Sequence, residues 1–156
     1  MNHSVKIPDK LLELPSSARG AYVLEFHLTK KMKIVPGRLG EKVLGKGWYY
    51  YVGSAMNGLR GRLTRHITGP RKIHWHIDYI TYKIQPVRIW VVRSEKRLES
   101  ELVRVVSGRC AVAIAGFGCS DSREDISHLF YSKLKINFVT ELACYGQAFE
   151  AQVVVR

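Results

Sequence analysis

The chain has 156 residues, 46% of them apolar and 24% charged, which suits one soluble globular domain with its own core. Its 25 Lys and Arg against 13 Asp and Glu leave a net charge of +12, a field that draws polyanions, nucleic acid first among them. No run reads as a secretory signal, a membrane span or a basic amphipathic helix with a bulky apolar face, and the one-signed charge is unlike a heat-stable protein's mixed surface. The three cysteines, Cys110, Cys119 and Cys144, are odd in number and lack C-x-x-C spacing, so free thiols in a reducing cytoplasm are expected.

In chain order, a leader ends at Pro15 and "GAYVLEFHL" alternates as a strand. Tyr22, Leu24, Phe26 and Leu28 fall on one side, and Val23, Glu25 and His27 on the other. "KKMKIVPGRLGEKVLGKG" reads as a return strand and a glycine-punctuated loop, and "WYYYV" as a short aromatic strand closed by Tyr51. Met56, Leu59, Leu63 and Ile67 then recur at helical spacing, with Asn57 as cap and Gly69-Pro70 as stop. "KIHWHIDYITY" fits helix or strand, "PVRIWVVRS" a strand, and "EKRLESELVRVV" an amphipathic helix. "AVAIAGFGCSDS" is a glycine-punctuated loop, followed by "SHLFYS" and two β-prone runs, "KINFVTEL" and "FEAQVVVR". The class expected is α+β with a small, largely antiparallel sheet, as one domain over 1–156 with a core of about 19–131, a short leader and a C-terminal extension.

Several side chains carry chemical potential. Tyr22 and Tyr51 each stand beside small residues, in Gly20-Ala21-Tyr22 and Tyr51-Val52-Gly53, and a buried phenol usually finds a hydrogen-bond partner. Arg62 and His66, four apart, border the apolar stripe of their helix and are held there. A fixed guanidinium suits phosphate oxygens, and an imidazole can hold or relay a proton. Arg60 and Arg65 project elsewhere, toward solvent or a nucleic-acid backbone. Glu99 falls inside the apolar arc of Leu98, Leu102, Val103, Val105 and Val106. A core-facing carboxylate is costly unless a cation, a metal or hydrogen bonds satisfy it, so it is expected to pair with an arginine or to hold a hard divalent ion. His74, His76 and Asp78 would align on one face of a strand as metal ligands, and only His74 and Asp78 would align on a helix, but a supporting role is preferred, with one histidine near phosphate and Asp78 tethering a basic neighbour. His128 reads as structural, and His3 and His27 have no evident role.

Together these features resemble the GIY-YIG nuclease superfamily. Gly20-Ala21-Tyr22 matches its first motif, with Ala where Ile is typical, and Tyr51-Val52-Gly53 its second. Leu59 with Arg62, His66 one turn on, and Glu99 followed by Leu102-Val103 match the rest. "YYYVGSA", "GRLTRH", "HWHIDYI" and "GFGCSD…SHLFY" resemble more closely an uncharacterised, mostly prokaryotic variant of that superfamily, from about Arg19 to Tyr131. This chain has Ser122-Arg123-Glu124 where such sequences tend to carry Cys-x-Cys.

The resemblance implies phosphodiester hydrolysis at a single divalent metal, Mg²⁺ or Mn²⁺, held by Glu99. It implies that Tyr22, its proton made labile by cationic surroundings, handles the attacking water. Arg62 would stabilise the transition state, and Tyr51 and His66 would complete a relay. Arg60, Arg65, Arg71, Lys72, His74 and His76 are expected to contact nucleic acid, DNA before RNA, and target choice to lie in DNA shape, in a protein partner or in the tail after Lys135. The alternatives are a non-catalytic nucleic-acid-binding module on the same scaffold, and a docking domain whose charge serves solubility.

Overall fold

The computed structural model describes residues 4–120 and 124–155. Strand β1 (Val5–Lys6) and helix α1 (Asp9–Leu12) precede β2 (Gly20–Leu28), and β3 (Met32–Ile34) and β4 (Lys42–Leu44) make a side hairpin. Next come β5 (Gly47–Ala55), α2 (Leu59–Thr68), α3 (Asp78–Thr81), β6 (Arg88–Arg93) and α4 (Glu99–Ser107). β7 (Ala111–Val112), β8 (Leu129–Ser132), α5 (Val139–Ala143), β9 (Gln147–Gln152) and β10 (Val154–Val155) follow. The architecture is α+β. Among the described residues the main sheet has six strands in the order β7-β8-β5-β2-β6-β9, with every pairing antiparallel.

The two longest strands, β2 and β5, lie at the centre because their aromatic and β-branched side chains can be buried on both faces. On one face Tyr22, Leu24, Phe26 and Tyr51 pack with Leu59, Leu63 and Ile67 of α2 and Ile80 of α3. On the other, Val23, Tyr50, Val52 and Trp90 meet Leu102, Val103 and Val106 of α4 and Phe138 and Leu142 of α5.

Covering both faces forces one polar row inside. Glu25, 0% exposed, lies between its cross-strand partners Tyr50 and Arg88. Arg88 grips it bidentately, with Nη2–Oε2 at 2.8 Å and Nε–Oε1 at 3.2 Å, and the Tyr50 hydroxyl donates to it at 3.0 Å. Arg88 also reaches Glu150 at 3.3 Å and stacks on Trp90 at 4.3 Å.

Several sequence expectations are corrected. The α2 helix starts at Leu59, and its N-terminal boundary is Gly58 at φ 128°, so Met56 and Asn57 belong to the turn and Asn57 is no cap. The β5 strand runs on to Ala55, which puts Tyr51 inside the strand rather than at its end. "KINFVTEL" runs into α5 rather than a strand, because Phe138 and Leu142, four apart, drop together into the second core. The C-terminal stretch is integral to the sheet: β9 pairs with β6 over six residues, and β10 pairs with β1. Among the described residues no helix is long and apolar enough to cross a membrane.

Candidate active site

The two tyrosine-glycine motifs interlock. Tyr22 and Gly53 are directly opposite each other in the β2–β5 pair. A Cβ at position 53 would lie 2.5 Å from the Tyr22 hydroxyl oxygen and 2.6 Å from Cζ, so the ring occupies the space that only glycine leaves. Gly20 is equally constrained, since a Cβ there would run into the Val92 carbonyl of β6. Gly53→Ala is therefore expected to push the Tyr22 ring aside and cost about 1–3 kcal/mol by overpacking. Urea denaturation would read the loss, and an unchanged stability would mean the ring is not held there.

With its ring fixed, the Tyr22 hydroxyl lies 2.7 Å from His66 Nε2. His66 is 1% exposed, and its pKa falls from the usual 6.5 to about 3, through burial first and then the charge of Arg62. The ring is thus neutral and carries one proton. Its buried Nδ1 has no partner, and an orphaned lone pair is tolerated better than an orphaned N–H, which places the proton on Nε2, donating to the phenol oxygen. Tyr22 itself corrects an expectation. Burial holds its pKa well above the ordinary value, and the charge and hydrogen bond of Arg62 only partly offset that, so the cationic surroundings alone do not make the proton labile. Tyr51, also raised by burial, lines the same space with its ring edge-on to His66 and Phe117.

His66 makes a testable contribution to stability. An unfolded His66 takes a proton below about pH 6.5 while the folded one resists it down to about 3, so acid favours the unfolded state across that window. Between pH 6 and pH 4 this group should remove on the order of 2 kcal/mol. A His66→Gln variant should show a shallower acid dependence in urea denaturation. Identical slopes would contradict the buried neutral ring.

Glu99 is the first residue of α4 and is 30% exposed at the wall of the cleft, not turned into the core as its place in the apolar arc suggested. The helix begins four residues later than the "EKRL" run implied, which leaves Glu99 at its mouth, where a carboxylate suits the helix dipole. Ser54 Oγ donates to one of its oxygens at 2.9 Å, and His128 Nδ1 meets the other at 3.0 Å. His128, 1% exposed, also faces Asp125 through Nε2 at 3.0 Å, and Ser100 donates to the same Asp125 oxygen at 3.2 Å. Burial alone would lower the His128 pKa, but Glu99 and Asp125 outweigh it and raise it. His128 is thus more than a packing residue: it orients the Glu99 carboxylate.

Arg62 donates to the Ser54 carbonyl at 3.2 Å, and its guanidinium lies 4.2 Å over the Trp75 ring. Arg65 corrects another expectation. It is drawn inward to Asp78 Oδ2 at 2.7 Å and to the Lys72 carbonyl at 2.8 Å, because a buried carboxylate sits beneath it. Asp78 also accepts the backbone N–H groups of His74 and Trp75, and its hydrogen bonds with Arg65 and those amides overcome burial to lower its pKa. Asp78 does tether a basic neighbour, as expected. Arg60 reaches back to the Leu14 carbonyl at 3.3 Å, while Arg71 and Lys72 are exposed.

The "HWHIDY" segment is a turn running into α3, so the alternation of His74, His76 and Asp78 makes no strand face. Among the described residues no group of three or more His, Cys, Asp or Glu could hold a metal ion. His74 and His76 line the cleft. His76 Nδ1 accepts the Gly118 N–H at 2.9 Å, and burial lowers its pKa, which leaves a neutral ring with its proton on Nε2. Ser122 and Arg123, where the sequence departs from the Cys-x-Cys pattern, lie outside the described residues, as does His3.

The result is one open cleft of about 600 Å³ at the end of the sheet. Tyr22, Tyr51, Arg62, His66 and Glu99 all line it, joined by His74 and His76. Sequence reasoning missed Ser54, Trp75, Arg97 and the orienting part played by His128. Only Ser54, next to the Tyr51-Val52-Gly53 motif, carried a local signal.

A family model described as Domain of unknown function DUF123 matches residues 21–151, reaching past Tyr131 into β9. No curated protein and no solved structure matches the chain.

Proposed function

We propose that this protein, which belongs to the family described as Domain of unknown function DUF123, is a metal-dependent endonuclease of GIY-YIG type hydrolysing phosphodiester bonds in nucleic acid, DNA before RNA. The observation that carries this reading is the convergence of two phenols, a guanidinium, an imidazole and a carboxylate on one solvent-open cleft. These five groups come from four elements, β2, β5, α2 and α4, that meet only in the folded chain.

Glu99 fits a hard divalent ion. It is exposed toward the cleft, each of its oxygens is oriented by one donor, and Mg²⁺ often takes a single carboxylate and keeps its waters. Mg²⁺ or Mn²⁺ bound there would supply Lewis-acid charge at the phosphate. The chain's own groups do the rest. Arg62 and Arg97 attract the phosphodiester, and the planar fork of Arg62 faces the charge that gathers as the new P–O bond to water forms and the old one breaks. Tyr22 releases its own proton to solvent in the open cleft and, as phenolate, orients the attacking water and takes one of its protons, while the leaving oxygen is protonated from solvent. The Nε2–H of His66 and the Arg62 guanidinium both support the phenolate charge. Trp75 holds Arg62 in place from one side, and the Arg65–Asp78 pair fixes the backbone that carries Trp75.

A binding module without turnover is favoured by one contact: Glu99 is already engaged by His128 at 3.0 Å. One experiment separates the two. The protein is incubated with single-stranded, duplex, flap and branched DNA and RNA in Mg²⁺, Mn²⁺ or chelator. Metal-dependent products from any substrate support hydrolysis; binding without products under every condition overturns it.

A further inference from the structure

Away from the cleft, three chain segments meet at the opposite end of the sheet. The β2 strand ends at Leu28 opposite Gly47, where β5 begins, and Ser132 at the end of β8 is opposite Trp48. Immediately beyond these ends stand Lys30 and Lys31, Lys46, and Lys133 and Lys135, all exposed. The segments 26–33, 45–49 and 131–136 contain no Asp or Glu. Among the described residues none of these five lysines has a carboxylate partner, whereas nearby Lys33 pairs with Glu41 at 3.1 Å.

The same end carries an aromatic stack. His27 and Trp48 are cross-strand partners whose rings lie parallel, 4.0 Å apart at 8°. His27 is exposed, and the Lys135 ammonium sits 5.3 Å from the Trp48 ring. The side chain of Leu134, 73% exposed between Lys133 and Lys135, packs into neither core. Five uncompensated cations repel one another and add nothing to the core, so their place in the fold is explained by what they attract. Phosphates attract to lysines, and bases stack on exposed rings, the combination that binds single-stranded nucleic acid.

We infer that this lysine-rich end is a second nucleic-acid contact, taking a single-stranded arm with its phosphates on Lys30, Lys31, Lys46, Lys133 and Lys135 and an unpaired base on the His27–Trp48 stack. The inference rests on the nucleic-acid half of the proposed function and not on hydrolysis. From Trp48 to Ser54 along β5 is about 20 Å, so an arm extending at least about six nucleotides from the cleft reaches the stack.

The test is done in chelator, where cleavage plays no part. The exposed set Lys30→Gln, Lys31→Gln, Lys133→Gln and Lys135→Gln is combined in one variant, and a 20-nucleotide single strand, a blunt duplex and phosphatidylserine vesicles are titrated against salt. For the single strand, the slope of log affinity on log salt should flatten by about three, from ~0.7 per lysine. His27→Ala should weaken the single strand several-fold with no change of slope. An unchanged slope overturns the proposal. So does an equal loss for duplex and single strand together with a silent His27→Ala, and so does loss of vesicle binding with DNA binding intact, which would make this end a membrane contact. If no nucleic acid is ever cut yet the slope flattens, the nuclease reading fails and this surface stands.

Discussion

Glu99→Gln is expected to lower metal-dependent cleavage by about a thousandfold, the factor that several kcal/mol of lost charge stabilisation at the phosphate produces. Glutamine keeps the side-chain shape and an oxygen able to accept from Ser54 or His128, so the local hydrogen bonds survive while the negative charge goes. Glu99 is partly exposed at a helix mouth, and the urea midpoint should move little. The rate is measured in single turnover at saturating Mg²⁺ beside the far-UV spectrum. An undiminished rate with an intact fold would remove Glu99 from the chemistry and leave the cleft a binding site.

The second large effect is on stability. Arg88→Met would strand the Glu25 carboxylate, 0% exposed, with only the Tyr50 hydroxyl beside it. Breaking one side of a buried ion pair costs about 3–5 kcal/mol, a large part of what holds a domain of this size together. Replacing both partners, Glu25→Leu with Arg88→Met, removes the uncompensated charge and should recover much of the loss. Glu150 and the Ile136 carbonyl, which also bind Arg88, lose a partner in either variant, so recovery is not expected to be complete. Urea denaturation of the three proteins decides it; a double variant no better than Arg88→Met would locate the cost in packing on Trp90 rather than in charge.

Much of the scaffold is legible in the sequence, for local reasons. "GAYVLEFHL" and "WYYYV" are strands because their side chains tolerate a pleated, doubly buried position, and Leu59, Leu63 and Ile67 mark a helix by spacing alone. What the sequence hides is long-range. The run "INFVT" is β-prone, yet Phe138 and Leu142 are taken by the second core and the segment coils into α5. A helical wheel sends Arg65 outward, and only Asp78, buried thirteen residues on, turns it in.

The candidate site divides the same way. Tyr22, Tyr51, Arg62 and His66 carry local patterns, and the cleft gathers them. The partners of Glu99 carry none. Ser54 lies 45 residues away in sequence, and His128 belongs to the strand entry after a long loop. The raised pKa of Tyr22 is equally invisible, because burial depends on the ring lying over Gly53 on a neighbouring strand.

Because Tyr22 and Tyr51 stand on the two innermost strands, their backbone amides should be among the slowest to exchange with solvent, opening only when the whole domain melts. Heat inactivation would then coincide with unfolding and show no earlier, gentler phase. Adaptation to ligands of different shape falls to the parts of the wall that lie outside the sheet, the turn holding His74 to Ile77 and the stretch around Arg97.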